Sequence, residues 1–217
     1  MKRRDFSMQV ALGSVGGLGL LLVRPVGAQG NPVEGTHFSK LAQPAPVAAP
    51  AGKIEVVEFF SYGCPHCYSF EPALEGWAKQ LPADVSFRRV PVGFNATYET
   101  YQKIYYSLEA MGQLGAMHRK VFDAIHLQRQ RLDKEADIVA FMTANGVDGP
   151  KFIEHFNSFS VQTKQRQAKQ LGDAYKIDGV PTLGVQGRYI TSGSMAGSNE
   201  RALAVADKLV QGLRKPG

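Results

Sequence analysis

The chain has only two cysteines among 217 residues, Cys64 and Cys67, and this scarcity argues against several kinds of site. A structural zinc site usually needs four Cys or His ligands, and no second cysteine pair is present, so we expect no metal. Attachment of a c-type haem needs a histidine directly after the second cysteine, where this chain has Tyr68. A cysteine protease needs one free thiol, whereas Cys67 would close a disulfide with Cys64. The remaining interpretations give the two cysteines a common role.

The chain also lacks an apolar run of the roughly 20 residues that a membrane-spanning helix needs. The apolar stretch at residues 10–23 is shorter, follows a basic head (MKRR) and precedes small residues that end at Ala28. This pattern predicts an export signal peptide over residues 1–28, cut after Ala28, in preference to an uncleaved membrane anchor. The arginines at positions 3 and 4 also match a twin-arginine signal, so the export route stays open.

A large excess of positive charge is missing once the expected signal peptide is set aside. Residues 29–217 contain 21 Lys and Arg against 18 Asp and Glu, and no basic run is interleaved with aromatic residues. The sequence therefore gives no indication of nucleic-acid binding. No internal repeat is visible, and about 190 residues can bury the core of one domain, with or without an insertion.

Hydrophobic patterns in the first half of the chain predict a β-α-β unit. Residues 54–60 (IEVVEFF) are typical of a central strand that is buried on both faces. Residues 68–81 have helical composition, and residues 85–92 alternate as a second strand does. This order favours two parallel strands joined by a crossover helix.

The second half of the chain predicts a helical block followed by a hairpin and a last helix. Helical patterns fill most of residues 97–175, and Asp133 is expected to cap one helix. Residues 182–190 return to strand composition with a turn at Gln186-Gly187, and residues 196–213 form an amphipathic helix. We therefore expect an α/β fold in which a mixed sheet is flanked by helices and carries an all-helical insertion. The expected segments are a signal peptide (1–28), the first part of the sheet domain (29–95), the inserted helical domain (96–160) and the second part of the sheet domain (161–217).

The spacing of the two cysteines favours redox chemistry over a structural disulfide. A disulfide that closes about four residues constrains the unfolded chain little, and a chain of this length does not depend on one. The pair lies between a strand and a helix, so we place Cys64 at the helix N-cap and Pro65 at the first helical position. The backbone N–H groups of His66 and Cys67 then point towards the Cys64 sulfur and stabilise its thiolate.

Ionisation of Cys64 predicts that the protein is an oxidant. His66 adds a donor or a positive charge beside the same sulfur. A pKa of about 4 for Cys64 would favour the reduced form by about 4 kcal/mol at pH 7, or about 90 mV for a two-electron couple. We expect Cys64 to be exposed and to form a mixed disulfide with the substrate, and Cys67 to be its shielded intramolecular partner.

Glu58 stands out as an acid inside the apolar run before the cysteines. Burial would raise its pKa, so it could serve as a proton reservoir for Cys67. The alternative is a glutamate on an edge strand in solvent. Of the two arginines on the next strand, the alternation of side chains favours Arg89 over Arg88 as its partner. We interpret the histidines at positions 118, 126 and 155 as ordinary surface or core residues.

Two motifs together resemble the DsbA family of thiol-disulfide oxidoreductases. They are FFSYGCPHCYSFEP, with Glu58 six residues before Cys64, and GVPT at Gly179 to Thr182 before a pair of strands. The resemblance implies a thioredoxin fold with an inserted helical domain and a low-pKa thiol in a strong oxidant. It also implies that the catalytic residues are Cys64, Pro65, His66, Cys67 and Glu58.

The resemblance implies a cellular role as well. The protein would act in the bacterial periplasm and pass its Cys64–Cys67 disulfide, without a further cofactor, to newly exported proteins that carry free cysteines. A quinone-linked membrane oxidase similar to DsbB would re-oxidise it. No dimerisation domain is visible in the sequence, so we expect a monomer.

The resemblance assigns the loop at Val180-Pro181 to substrate binding. It implies a cis peptide bond there, which lets the backbone of Val180 pair with an extended substrate strand. Without the resemblance, a plain turn proline would be the simpler interpretation. The chain departs from the family at Gly63, where a bulky aromatic residue is common, and this departure could loosen the active-site surface or alter partner affinity.

Two other functions stay open on the sequence. A disulfide isomerase or reductase would be kept reduced and usually carries a dimerisation domain. In a periplasmic peptide-binding chaperone Cys64 would have no functional role, so the activity would survive the change Cys64→Ser.

Overall fold

A five-stranded mixed sheet forms the centre of the computed structural model, which describes residues 30–214. The strands are β1 (Ser39–Lys40), β2 (Ile54–Phe60), β3 (Val85–Pro91), β4 (Thr182–Val185) and β5 (Tyr189–Ser192). They lie in the order β1-β5-β4-β2-β3, and β3 runs parallel to β2, whereas the other neighbouring pairs are antiparallel. The expected signal peptide, residues 1–28, lies outside the described residues.

Helices cover the sheet, and the segment of the sequence between β3 and β4 is mostly helical. Within residues 30–214 they are α1 (Pro65–Ala78), α2 (Ala96–Ala110), α3 (Leu114–His126), α4 (Glu135–Ala144), α5 (Gly149–Phe156), α6 (Phe159–Tyr175), α7 (Gly193–Ala196) and α8 (Asn199–Arg214). None of these helices is long and apolar enough to cross a lipid bilayer. The β2-α1-β3 unit and the helices between β3 and β4 confirm the predicted mixed sheet with a helical insertion.

The central strand β2 is buried on both faces, and five of its seven residues are apolar. Val56 belongs to the core between the sheet and helices α1 and α8. Val57 and Phe59 belong to the core that the sheet forms with helices α2 to α6, where the ring of Phe59 contacts Tyr175 with centroids 5.1 Å apart. Two apolar faces hold β2 in place, and the end of β2 therefore positions the cysteine pair rigidly.

The hairpin between β4 and β5 was predicted at the correct residues. Gln186 and Gly187 have positive φ angles of 50° and 62°, and the N–H of Arg188 donates to the carbonyl of Val185 at 2.9 Å. This is the backbone of a type I′ turn, which suits glycine at its second central position. The hairpin sets the start of β4 beside the end of β2.

Two helix boundaries differ from the prediction. The helix expected to be capped by Asp133 begins at Glu135, with Lys134 at the N-cap and no capping hydrogen bond from its side chain. The side chain of Asp133 instead pairs with Arg131 at 3.0 Å. The helix expected over residues 196–213 begins at Asn199 as α8, because Ala196 is the last residue of the short helix α7. Gly197 separates them with a φ of 96°, a conformation that ends a helix.

Candidate active site

Cys64 lies at the N-cap of α1, as the sequence predicts. Its backbone is extended (φ −90°, ψ 116°), Pro65 occupies the first helical position, and the N–H of Cys67 donates to the Cys64 Sγ at 3.3 Å. Proline suits this position because its fixed φ matches the helix and its missing N–H has no partner there. The segment Cys64 to Cys67 therefore places the Cys64 sulfur at the N-terminal end of α1.

The pKa of Cys64 is lowered from 9.0 to about 6. The largest cause is a hydrogen bond from the Cys67 side chain, burial opposes it, and the N–H groups of Cys67 and His66 and the charge of His66 add to the lowering. At pH 7, a pKa of about 6 favours the reduced form by about 1.4 kcal/mol, or about 30 mV for two electrons. This is a third of the 90 mV expected for a pKa of 4, because burial of Cys64 works against its charge.

The two sulfurs are not equivalent, but neither is widely exposed. Cys64 is 5% exposed and Cys67 is fully buried. The expectation that Cys64 is the more accessible of the two is confirmed, whereas the expectation of an openly exposed thiol is wrong. Burial, the neighbouring Cys64 and the charge of Glu58 raise the pKa of Cys67. Cys67 is therefore a neutral thiol at the pH where Cys64 is a thiolate.

We expect Cys64 of the reduced protein to be alkylated by iodoacetamide with a midpoint near pH 6, while Cys67 stays unreacted. Mass spectrometry of each cysteine peptide against pH measures both. In the control variant Cys67→Ala the midpoint should rise, because the strongest donor to the Cys64 sulfur is removed. A wild-type midpoint near 8.5, the value of an ordinary thiol, would contradict the geometry at the helix end.

The loop before β4 faces the Cys64 sulfur. The Val180–Pro181 peptide bond is cis, and the Cys64 thiol donates to the carbonyl of Val180 at 3.3 Å. This contact follows from the sheet, since β4 is antiparallel to β2 with Thr182 opposite Phe59. A cavity of about 710 Å³ opens beside this loop and His66. Hydroxyl groups line much of it, from Ser39, Thr182, Ser192, Ser194 and Ser198.

Glu58 is fully buried, so the alternative of an edge-strand glutamate in solvent is wrong. The parallel register places Arg89 beside it, and Arg89 Nε lies 3.1 Å from Glu58 Oε2, which confirms the predicted partner. Burial and the nearby carboxylate of Glu71 raise the pKa of Glu58 well above its ordinary value, although Arg89 opposes them. Glu58 therefore holds its proton to a higher pH than an ordinary glutamate.

A buried polar cluster extends from Glu58, and the sequence did not reveal most of it. Arg89 also pairs with Glu71 of α1, and His118 Nε2 of α3 lies 3.3 Å from Glu71 Oε1. His118 Nδ1 and the hydroxyl of Tyr62 share a hydrogen bond at 2.8 Å. Burial would raise the pKa of Glu71, but its contacts with His118 and Arg89 lower it overall. Glu71 and Glu58 thus have opposite pKa shifts on either side of one guanidinium group.

One member of this cluster had a signal in the sequence. Glu71 follows Cys67 by four residues, so both lie on the same face of a helix, and this spacing could have pointed to it. His118 had no such signal, and its interpretation as an ordinary core histidine left out its contact with Glu71. Within residues 30–214 no group of three or more His, Cys, Asp or Glu side chains could hold a metal ion. The hydrogen bonds and ion pairs of Glu58, Arg89, Glu71, His118 and Tyr62 form a connected set of groups that can carry protons, and the charge of Glu58 reaches Cys67.

Gly63 does not leave a gap in front of the cysteines. A Cβ atom at this position would lie 2.8 Å from Cε1 of Tyr98 and 2.9 Å from Cε2 of Tyr101, closer than such atoms approach in proteins. The rings of two residues on α2 occupy the space that a side chain at position 63 would need. The expectation of a loosened surface at Gly63 is therefore wrong, and an altered partner affinity stays a prediction.

Comparison with known proteins gives matches over most of the chain. The model of the DSBA-like thioredoxin domain matches residues 83–208. The thiol:disulfide interchange protein DsbA of Azotobacter vinelandii is 43% identical over 177 residues, with 82% of each chain covered. The same protein of Bordetella parapertussis is 46% identical over 180 residues, with 82% of this chain and 85% of that one covered.

Solved structures agree with these matches. The crystal structure of Pseudomonas aeruginosa DsbA has a TM-score of 0.80 at 41% identity, and the match covers 83% of this chain and 93% of that one. The DsbA of Xylella fastidiosa has a TM-score of 0.79 at 30% identity, with 84% and 98% covered. The matches to whole proteins cover 82–84% of this chain, whereas the domain model matches only residues 83–208, after the two cysteines.

Proposed function

The chain belongs to the DsbA family and is a thiol:disulfide oxidoreductase, and we propose that it acts as an oxidase of newly exported proteins. The observation that carries the proposal is the position of Cys64 at the N-cap of α1, where the N–H of Cys67 donates to the Cys64 Sγ at 3.3 Å while Cys67 itself is fully buried. This geometry lowers the pKa of Cys64, and burial raises that of Cys67. A stabilised thiolate at Cys64 favours the reduced enzyme, so the enzyme gives up its disulfide readily.

The proposed reaction has two exchanges of thiol and disulfide. A client thiolate attacks the Sγ of Cys64, the Cys64–Cys67 bond breaks, and the Cys67 sulfur takes the electron pair and then a proton. A second client thiolate attacks the client sulfur of this mixed disulfide, so the client disulfide forms and Cys64 leaves as a thiolate. The low pKa of Cys64 assists the second step, because a more stable thiolate is a better leaving group.

Glu58 is proposed to exchange the proton of Cys67 in the first step. Its carboxyl group is buried, has a raised pKa and is close enough for its charge to raise the pKa of Cys67. A buried carboxyl group with a raised pKa can hold a proton and pass it to a neighbouring group. His66 and Pro65 are assigned to the tuning of Cys64, since they shape the helix end that contacts its sulfur.

Val180 and Pro181 are proposed to bind the client segment next to the reacting cysteine. The Val180 carbonyl accepts from the Cys64 thiol at 3.3 Å, so a backbone paired with Val180 would bring its own sulfur to Cys64. Pairing through the backbone does not depend on client sequence, which suits an enzyme with many unfolded clients.

The cellular setting and the chain organisation complete the proposal. The protein works as a monomer in the periplasm after a signal peptide over residues 1–28 has been removed, and its only redox centre is the Cys64–Cys67 disulfide. A DsbB-like quinone-linked membrane oxidase restores that disulfide. The domain bounds expected from the sequence, 29–95 and 161–217 for the thioredoxin-like domain and 96–160 for its helical insertion, stay predictions, and the boundary at residue 160 falls inside α6.

We expect the Cys64–Cys67 couple to be more oxidising than the glutathione couple, since the lowered pKa of Cys64 stabilises the reduced form. Equilibration with glutathione buffers, followed by counting free thiols, measures this potential. A potential below that of glutathione would reject the oxidase in favour of the alternative reductase or isomerase. The same assay on Cys67→Ala, which cannot form the disulfide, supplies the baseline.

A further inference from the structure

The strand β3 is an edge of the sheet, and its outer side has no neighbouring strand within residues 30–214. On its inner side β3 pairs with β2, and just beyond β3 the N–H of Val92 donates to the carbonyl of Phe60 at 2.8 Å. Successive residues of a strand direct their backbone groups alternately to the two sides, so the even-numbered residues of β3 face β2. The backbone N–H and C=O groups of Phe87 and Arg89 therefore point out of the sheet.

These four outward groups have no partner in the described part of the chain. No hydrogen bond within residues 30–214 reaches the backbone N–H or C=O of Phe87 or Arg89. The edge is closed only at its far end, where the side chain of Gln102 donates to the carbonyl of Pro91 at 2.7 Å. The middle of β3 therefore presents the backbone pattern to which another strand can pair.

The two arginines of β3 do not shield this edge. Charged side chains on an exposed edge strand usually deter pairing with another chain. Here Arg88 pairs with Glu55 at 2.9 Å and Arg89 pairs with Glu58 at 3.1 Å, and both carboxyl groups are at most 1% exposed. Because both acids belong to β2, the arginine side chains reach back over the sheet and away from the free edge.

A cavity of about 680 Å³ borders the free edge of β3. Residues 87–90 of β3 line one wall, and residues 46–48 and helices α2 and α6 line the others. Consecutive residues of a strand point to opposite faces, so a cavity that touches all four lies along the edge. It shares no lining residue with the cavity beside His66 and Val180. The edge of β3 is therefore a surface of its own, apart from the reactive cysteine.

The charged side chains in this cavity favour an acidic occupant. Three of the four are cations, Arg88, Arg89 and Lys164, and the fourth is Glu109. Arg88 and Lys164 stay partly accessible, with 34% and 53% of their side chains exposed. A carboxylate in the cavity can therefore form ion pairs with them.

The two faces of β3 differ, and this difference sets which residues of an occupant meet the cations. Val90 belongs to the core with α2 to α6, and Arg88 lies on the same face because it is two residues away. The ring of Phe87 instead contacts Trp77 of α1, with centroids 5.8 Å apart. In an added strand, acidic residues on the first face would meet Arg88, and the intervening residues would lie on the side of Phe87.

We propose that the edge of β3 binds an extended, acidic segment of a partner protein as a sixth, antiparallel strand. Antiparallel pairing is the more stable arrangement per residue. Two residues of the segment, two positions apart, exchange four hydrogen bonds with Phe87 and Arg89, and the acidic residue between them lies beside Arg88. The binding involves neither cysteine, so the partner need not be a substrate of the thiol chemistry.

A short peptide that alternates glutamate and valine, blocked at both ends and labelled with a fluorophore, tests the pairing. In the proposed strand the N–H groups of the valines point at β3, whereas those of the glutamates point away. N-methylation of two valines should weaken binding, measured by anisotropy, about tenfold or more, because two hydrogen bonds are lost. N-methylation of two glutamates should leave it unchanged. Absence of binding, equal losses or a larger loss with the methylated glutamates would overturn the proposed strand.

Amide hydrogen exchange locates the peptide on the protein. Exchange at Phe87 and Arg89 should slow only when the peptide is bound. The amides of Arg88 and Val90 already face β2, so they serve as internal controls and should not change. Unchanged exchange at Phe87 and Arg89 would overturn the site. Slowing that appears without peptide as the protein concentration rises would assign the edge to a second copy of the chain and overturn the partner segment.

Two lysines of α6 supply a matched pair of variants for the charge preference. Lys164 pairs with Glu109 and lines the cavity, whereas Lys169 pairs with Asp173 and does not line it. Lys164→Gln should weaken binding of the peptide about two- to fivefold, and Lys169→Gln should leave it unchanged. Equal effects of the two variants would contradict the acidic preference. None of these outcomes depends on whether the enzyme is an oxidase.

Discussion

Cys64→Ser should abolish the oxidation of client proteins, and Cys67→Ser should accumulate covalent complexes with them. Cys64 is the sulfur with the lowered pKa and with 5% exposure, whereas Cys67 is fully buried. A client can therefore reach Cys64 but not Cys67. Cys67→Ser has no disulfide to give, so its mixed disulfide forms when the Cys64 thiolate attacks the disulfide of an oxidised client and one client sulfur leaves as a thiolate. Without Cys67, no second enzyme thiol can attack Cys64 and release the client, so the complex persists.

Two measurements check this expectation. Oxidation of a reduced, unfolded client by the wild type and by Cys64→Ser is followed by the loss of free thiols. Complexes of Cys67→Ser are formed with clients that already carry disulfides, separated on non-reducing gels and identified by mass spectrometry. The double variant Cys64→Ser/Cys67→Ser should give no complexes and serves as the control. Full activity of Cys64→Ser in cells would support the chaperone instead, and complexes formed through Cys67 would reverse the assignment of the two sulfurs.

Arg89→Leu should destabilise the protein by about 3–5 kcal/mol at pH 7, the range for removing one partner from a buried ion pair. Arg89 is the cation between Glu58 and Glu71, and both carboxyl groups are at most 1% exposed. Its removal leaves two buried acids without that charge. Urea unfolding of the reduced protein measures the change in the free energy of unfolding.

The effect of Arg89→Leu should depend on pH in a definite direction. The pKa of Glu58 is already raised, so its contribution to stability is present below about pH 4.5 and is lost as the pH rises through its folded pKa. Without Arg89 the pKa values of Glu58 and Glu71 both rise. The destabilisation should therefore be largest near pH 7 to 8 and should shrink as the pH falls towards 4.5.

Arg214→Leu is the matched control for this substitution. It removes the same side chain from an ion pair with Asp84 that is exposed at the surface, so we expect only a small part of the loss seen at Arg89. Equal losses in the two variants, or a loss at Arg89 that does not change between pH 7 and 4.5, would contradict the role of the buried cluster.

Features that depend on neighbouring residues could be predicted from the sequence. Cys64 at the N-cap, Pro65 after it and the turn at Gln186-Gly187 each depend on a few consecutive residues, and the structure confirms them. The pairing of Glu58 with Arg89 was also within reach, because side chains alternate along two parallel strands. The resemblance to the family supplied the cis bond at Val180-Pro181, which the residues alone did not favour.

Features that depend on how distant elements pack were decided by the tertiary structure. His118 reaches Glu71 only because α3 packs on α1, and no pattern in the sequence links two residues 47 positions apart. Tyr98 fills the space at Gly63 because α2 lies against the cysteine segment. The pKa of Cys64 also depends on how deeply its sulfur is buried. Burial raises this pKa, whereas the hydrogen bonds at the end of α1 lower it, and the result is a pKa of about 6. Local hydrogen bonds act within one turn of helix and can be read along the chain, whereas burial and ring contacts exist only after the chain has brought remote residues together.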